Sequence, residues 1–141
     1  MVENVNTKDK HGHTPLIDAA KTGDVETIKD LLSRGADLEA KSEKGKTALH
    51  YAAANGQAAA IRALLEAGAQ VDARDIEWHT PLMLAANYGC NECAEDLLTA
   101  GADPMAKMKL GNTALTYAEA NGHPDTLDVI RKAQRGKAVT A

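Results

Sequence analysis

The chain has 141 residues, a formal net charge of −4 and only 3% aromatic residues, with no phenylalanine. That length suits one domain with a working core, and a core without Phe must be built from Leu, Ile, Val and Ala, which favours closely packed helices over a β-sandwich. The acidic balance argues mildly against nucleic acid as the main partner, and no apolar run approaches the ~20 residues of a membrane span.

The opening residues, Met1-Val2-Glu3-Asn4, contain no basic or apolar leader segment, so no signal peptide is visible. Two cysteines are too few for a disulfide framework, so nothing requires an oxidising compartment. A cytoplasmic location is expected; a mature periplasmic or secreted fragment given a new Met would read the same way. Residues 1–8 precede any repeat and are expected to form a flexible end.

From residue 9 the chain matches itself at a shift of 33. Thr14 falls on Thr47, Thr80 and Thr113, and Leu16 on Leu49, Leu82 and Leu115. Ala19 falls on Ala52, Ala85 and Ala118, and Gly23 on Gly56, Gly89 and Gly122. Leu31-Leu32 and Gly35-Ala36 recur as Leu64-Leu65 and Gly68-Ala69, then as Leu97-Leu98 and Gly101-Ala102. The units run about 9–41, 42–74, 75–107 and 108–134.

The third unit shows the local logic. Thr80 is a good N-cap and Pro81 is tolerated at the first helical position, so a helix opens there. Leu82, Ala85 and Ala86 share one face, and Gly89 stops the helix. A second helix is predicted from about Asn91 to Thr99, with Leu97 and Leu98 inward and Gly101 at its end. Asp103 to Thr113 crosses to the next unit, with Gly111 at a turn tip. The Ala-rich first helices let neighbouring units approach closely, and a stack of four buries apolar stripes that a lone helix pair would expose. The tail 135–141 is expected to be a flexible end or a prolongation of the last helix.

The string Asp-x-x-Gly-x-Thr-Pro-Leu-x-x-Ala-Ala-x-x-Gly…Leu-Leu-x-x-Gly-Ala-Asp resembles the ankyrin repeat across residues 9–134. The resemblance implies an all-α repeat solenoid, a stack of four helix-turn-helix units with β-hairpin fingers projecting at a right angle. Asp18 stands where Tyr51, Leu84 and Tyr117 stand later, Glu119 where Ala20, Ala53 and Ala86 stand earlier, and Arg131 replaces the second Leu of the pair. Polar residues at these outer positions are expected to cap the ends of the stack, making the four units a complete domain and a monomer.

Fold does not fix function, so each candidate site is weighed separately. Cys90 and Cys93 have C-x-x-C spacing at a helix start, which leaves a thiol-redox role open. The missing βαβ context and the small-residue position of Cys93 favour two ordinary, partly buried thiols. His13 and His79 share a repeat position two units apart, too far for a common metal; His11 and His13 read as polar turn residues. His50 matches the His of the family's Thr-Pro-Leu-His string, which implies a structural hydrogen bond, and His123 reads as a helix-start residue. Glu95 and Asp96 read as a solvated face. No catalytic constellation, cofactor loop or metal set is expected, so the chain reads as non-enzymatic.

Ankyrin-like stacks usually recognise proteins through finger tips and the ends of the first helices. Carried over by position, this implies contacts from Lys44, Lys46 and Asn55 in the second unit. Ile76, Trp78, His79, Asn87 and Tyr88 follow in the third, and Leu110, Asn112 and Asn121 in the fourth. Trp78 stands where the other units have Gly12, Gly45 and Gly111, and with Ile76 and Tyr88 it makes a hot-spot candidate. A Trp78 that packs back on a neighbouring finger is the alternative. The fingers are rich in Lys and His and the second helices in acid, which suits a protein partner with an acidic or mixed surface. The reading is an interaction module, an inhibitor or adaptor; a nucleic-acid binder using the Lys-rich fingers ranks below it.

Overall fold

The computed structural model describes residues 4–140, with side chains to residue 136. Eight helices follow in order: α1 (Pro15–Thr22), α2 (Val25–Ser33), α3 (Ala48–Ala54), α4 (Ala58–Glu66), α5 (Pro81–Tyr88), α6 (Asn91–Thr99), α7 (Ala114–Ala120) and α8 (Pro124–Thr140). Each unit is a finger followed by two antiparallel helices. None of the described helices is long and apolar enough to cross a membrane.

The first helices all start in the same way. Thr14, Thr47, Thr80 and Thr113 lie in extended backbone, and each side chain accepts the N–H of the residue three further on. The bond satisfies a donor that the helix itself leaves free. Gly23 and Gly89 close α1 and α5 in left-handed backbone, at φ 76° and 73°.

Helices α1, α3, α5 and α7 pack side by side, and α2, α4, α6 and α8 form a second layer behind them. Ala20, Ala52, Ala53, Ala85, Ala86 and Ala118 are wholly excluded from solvent, as the Ala-rich pattern requires. Leu16, Leu49 and Leu82 fill the inner layer, and Ile28, Ile61, Leu64, Leu97 and Ile130 the seam with the outer one. Each such large side chain contributes roughly 1.5–3 kcal/mol through burial. Asp18, Glu119 and Arg131 are exposed, so the outer faces of the first and last units carry polar side chains at positions that are apolar inside the stack.

The fingers are tight turns rather than β-hairpins; no strand is assigned among the described residues. Each is closed from its first to its fifth residue, Asp9 N–H to His13 O (3.0 Å), Ser42 to Lys46 (2.9 Å), Asp75 to His79 (3.1 Å) and Met108 to Asn112 (2.9 Å). Successive fingers are joined by the Glu43, Ile76 and Lys109 N–H groups, which donate to the carbonyls of His11, Lys44 and Glu77. One such bond per junction is too few for a regular ladder, which needs alternating bonds along both chains.

A second series runs along the loops. The Asn6, Glu39 and Asp72 side chains accept the N–H groups of Asp37, Gln70 and Asp103 in the next unit. Lys8 and Lys41 Nζ reach the carbonyls of Lys41 and Arg74. The segment before the first finger therefore makes the same contacts as its counterparts in later units; residues 1–3 of the expected flexible end lie outside the described residues. At the other end α8 runs past Gln134 to Thr140, and residue 141 lies outside the described residues.

Candidate functional site

The third finger is the most heavily braced. Asp75 is buried, and its Oδ1 accepts the N–H groups of Glu77 (2.9 Å) and His79 (2.8 Å). Its Oδ2 lies 2.8 Å from Lys46 Nζ and 3.4 Å from His79 Nδ1. Burial alone would raise the Asp75 carboxyl, but the Lys46 ammonium and the two backbone N–H groups outweigh it and hold it below its ordinary 3.8. Asp9 plays the same local part in the first finger, accepting the N–H groups of His11 and His13. Those bonds, His13's foremost, hold its carboxyl low as well.

At the tip, Trp78 has φ +71°, the one non-glycine residue with positive φ among the described residues. The left-handed region costs an L-residue roughly 1–2 kcal/mol. Trp78 is 45% exposed, and the Arg74 guanidinium stacks on the face of its indole at 4.8 Å from the ring centre. Trp78 thus packs on the arm leading into its own finger, leaving much of the ring open.

Between the fingers and the first helices lies a groove of about 820 Å³. Of the residues expected to meet a partner, Lys44, Lys46, Asn55, His79, Asn87 and Tyr88 line it. Ile76 lines a smaller hollow with Lys44 and Lys46. Trp78 lies outside both linings, as do Leu110, Asn112 and Asn121. Leu110 is 85% exposed on the fourth finger, and Asn121 is drawn toward the third unit, its Nδ2 donating to Asn87 Oδ1 at 2.9 Å. Ile76, Trp78 and Tyr88 are all exposed, but they do not share one depression.

Two His–Tyr pairs cross the groove floor. The ring of His13 lies 4.9 Å from that of Tyr51, whose hydroxyl donates to Ser42 Oγ. His79 Nε2 is 2.7 Å from the Tyr117 hydroxyl. Tyr51 and Tyr117 are groove residues that the finger-tip rule overlooks. Their signal was a repeat position that changes character, from Asp18 to Tyr51, Leu84 and Tyr117.

His50 is wholly buried. Its Nδ1 accepts the Thr47 N–H at 3.0 Å, and its Nε2 donates to the His79 carbonyl at 2.8 Å. This is the structural role its motif implies, and it ties α3 to the third finger. Burial lowers its pKa to about 4, against a smaller upward pull from the His79 carbonyl.

Asp9, His13 and Asp18 bring ligand-type atoms within 4.8 Å of one another. They are already engaged, however. Asp9 caps its own turn, and Lys21 Nζ lies 3.2 Å from His13 Nδ1, placing a positive charge where a cation would sit.

Cys90 and Cys93 are joined by a disulfide, correcting the expectation of two ordinary thiols. Cys90 occupies the N-cap of α6 and turns its sulfur toward the Cys93 N–H (3.2 Å). That capping geometry carries it to the sulfur of Cys93. Elsewhere in the second layer, Asp96 pairs with Arg62 at 2.7 Å, while Glu95 is exposed.

A family model described as ankyrin repeats (3 copies) matches the chain over residues 1–75, 39–108 and 75–139. No curated protein matches it at a significant level.

Proposed function

The chain belongs to the ankyrin repeat family, whose repeats generally mediate protein–protein interaction, and from that premise we propose a specific mode of binding. The protein is a non-enzymatic module that grips one folded protein through the fingers and first helices, acting as an inhibitor or adaptor. The observation that carries this reading is Trp78. A large aromatic side chain stands in left-handed backbone at a tip where the other three units have glycine. Residues held in strained backbone cluster at functional sites.

Tyr88, Asn87 and His79 extend the contact into the groove, and Ile76 and Leu110 extend it along the tips. Lys44 and Lys109 are exposed on the second and fourth fingers, whereas Glu26, Asp30, Glu92 and Glu95 are exposed on the second helices. This separation suits a partner with an acidic or mixed surface, steered in by charge and held by the apolar anchors.

The test is an affinity capture with wild-type protein and Trp78→Ala in parallel, followed by calorimetry against the captured partner. Trp78→Ala should weaken binding by more than ~1–2 kcal/mol while the circular dichroism stays that of the folded stack. Unchanged affinity would reject Trp78 as an anchor.

A further inference from the structure

One position of the repeat has a bracing role that the third unit has given up. In the second unit Gln57 Nε2 reaches back to the Lys21 carbonyl at 3.3 Å, and in the fourth His123 Nε2 reaches back to the Asn87 carbonyl at 3.1 Å. Each side chain lies over a helix-ending glycine of the preceding unit, so a Cβ on Gly23 would strike Gln57 and one on Gly89 would strike His123. In the third unit the same position is Cys90. Its short side chain turns away, into the disulfide with Cys93. The space over Gly56 is consequently open, with nothing within 4 Å of where a Cβ would stand. The flanking Asn55 is exposed and lines the groove, as does Tyr88, two residues before Cys90.

The two sulfurs are unequal. Cys93 is 0% exposed, whereas Cys90 is half-buried beside the notch. An attacking thiolate needs access to the sulfur it strikes, and of the two cysteines only Cys90 has exposed surface.

We propose that Cys90–Cys93 is a thiol–disulfide exchange site, entered at Cys90 through the notch over Gly56, that takes two electrons from an external dithiol. One thiolate of the dithiol attacks Cys90 Sγ. A mixed disulfide forms, the Cys90–Cys93 bond breaks, and its electron pair passes to Cys93 Sγ. Cys93 is buried and is protonated as it leaves, whereas the positive end of α6 favours a thiolate at Cys90, its N-cap, whose sulfur faces the Cys93 N–H. The second thiol of the donor, losing its proton, then attacks the donor's own sulfur in the mixed disulfide and expels Cys90 as a thiolate. Both cysteines take up protons. The donor leaves as a disulfide and the protein as a dithiol, with two electrons and two protons transferred. The reverse sequence re-forms the bond from an external disulfide.

The experiment uses dithiothreitol as the dithiol and oxidised glutathione as the disulfide. Cys93→Ser, incubated with oxidised glutathione, should take up one glutathione on Cys90 by mass spectrometry. Cys90→Ser should react at least about tenfold more slowly. In reduced wild-type protein, which needs no substitution to fold, Cys90 should be alkylated faster than Cys93, and oxidised glutathione should restore the intramolecular bond. Equal labelling of the two cysteines, or a reduced wild type that does not close again, would overturn the proposal. Circular dichroism of both variants confirms that unequal labelling reports access rather than unfolding.

Discussion

Trp78 holds φ at +71° on a tip where Gly12, Gly45 and Gly111 hold φ at +79°, +75° and +92°. Glycine takes that conformation freely because it has no Cβ; tryptophan does not, and Arg74 stacked on the ring returns only ~0.5–1 kcal/mol at an exposed site. Comparing Trp78→Ala with Trp78→Gly isolates the backbone, since both remove the ring and the Arg74 contact. Trp78→Gly should be the more stable of the two by about 1 kcal/mol in urea denaturation followed by circular dichroism. Equal midpoints would mean that the tip relaxes and stores no strain. The substitution itself is legible in the sequence because the register places Trp78 opposite three glycines. The direction in which the ring folds is not, because it depends on Arg74, which reads in the chain only as a unit-end cation.

Helix α3 starts at a capping box whose far member is His50, and the same ring holds the third finger through the His79 carbonyl. Both bonds require neutral His50, with Nδ1 accepting and Nε2 donating. The folded pKa of about 4 lies below the ordinary 6.5, so the unfolded chain binds the extra proton first. This contribution to stability is complete above about 6.5, falls as the pH drops toward about 4, and then levels off. A shift of that size corresponds to roughly 3 kcal/mol. Asp75, whose carboxyl is held below 3.8, loses its contribution only at lower pH. His50→Gln keeps a cap-capable side chain at this position and removes the titration. Urea midpoints measured between pH 7 and 4 should therefore fall less steeply in His50→Gln than in wild type, and parallel slopes would assign the acid sensitivity elsewhere. Helix starts, glycine stops and this histidine are legible in the sequence because each follows a local rule of spacing. The Cys90–Cys93 bond and the docking of Asn6 on Asp37 are not, because each depends on where a side chain turns once the stack has formed.

Across the whole stack, no unit carries a core of its own. Ala52, Ala85 and Ala118 are wholly buried between neighbouring first helices, and their methyl groups set the spacing of the inner layer. A larger side chain at Ala85 pushes on α3 and α7 together, since α5 packs between them. Overpacking of this kind costs about 1–3 kcal/mol. In a long array such a defect would split unfolding into segments, because repeats couple only to their nearest neighbours. Here each half left by a break at α5 would hold at most two units, with a freshly exposed Ala-lined face and too little buried surface to persist. Ala85→Leu should therefore lower the urea midpoint while leaving one transition with an unchanged slope. A second transition, or a shallower slope, would show that two-unit halves are stable alone. It would also mean that the partner-binding surface, which runs from the second finger to the fourth in the proposed mode, is assembled from parts able to open independently.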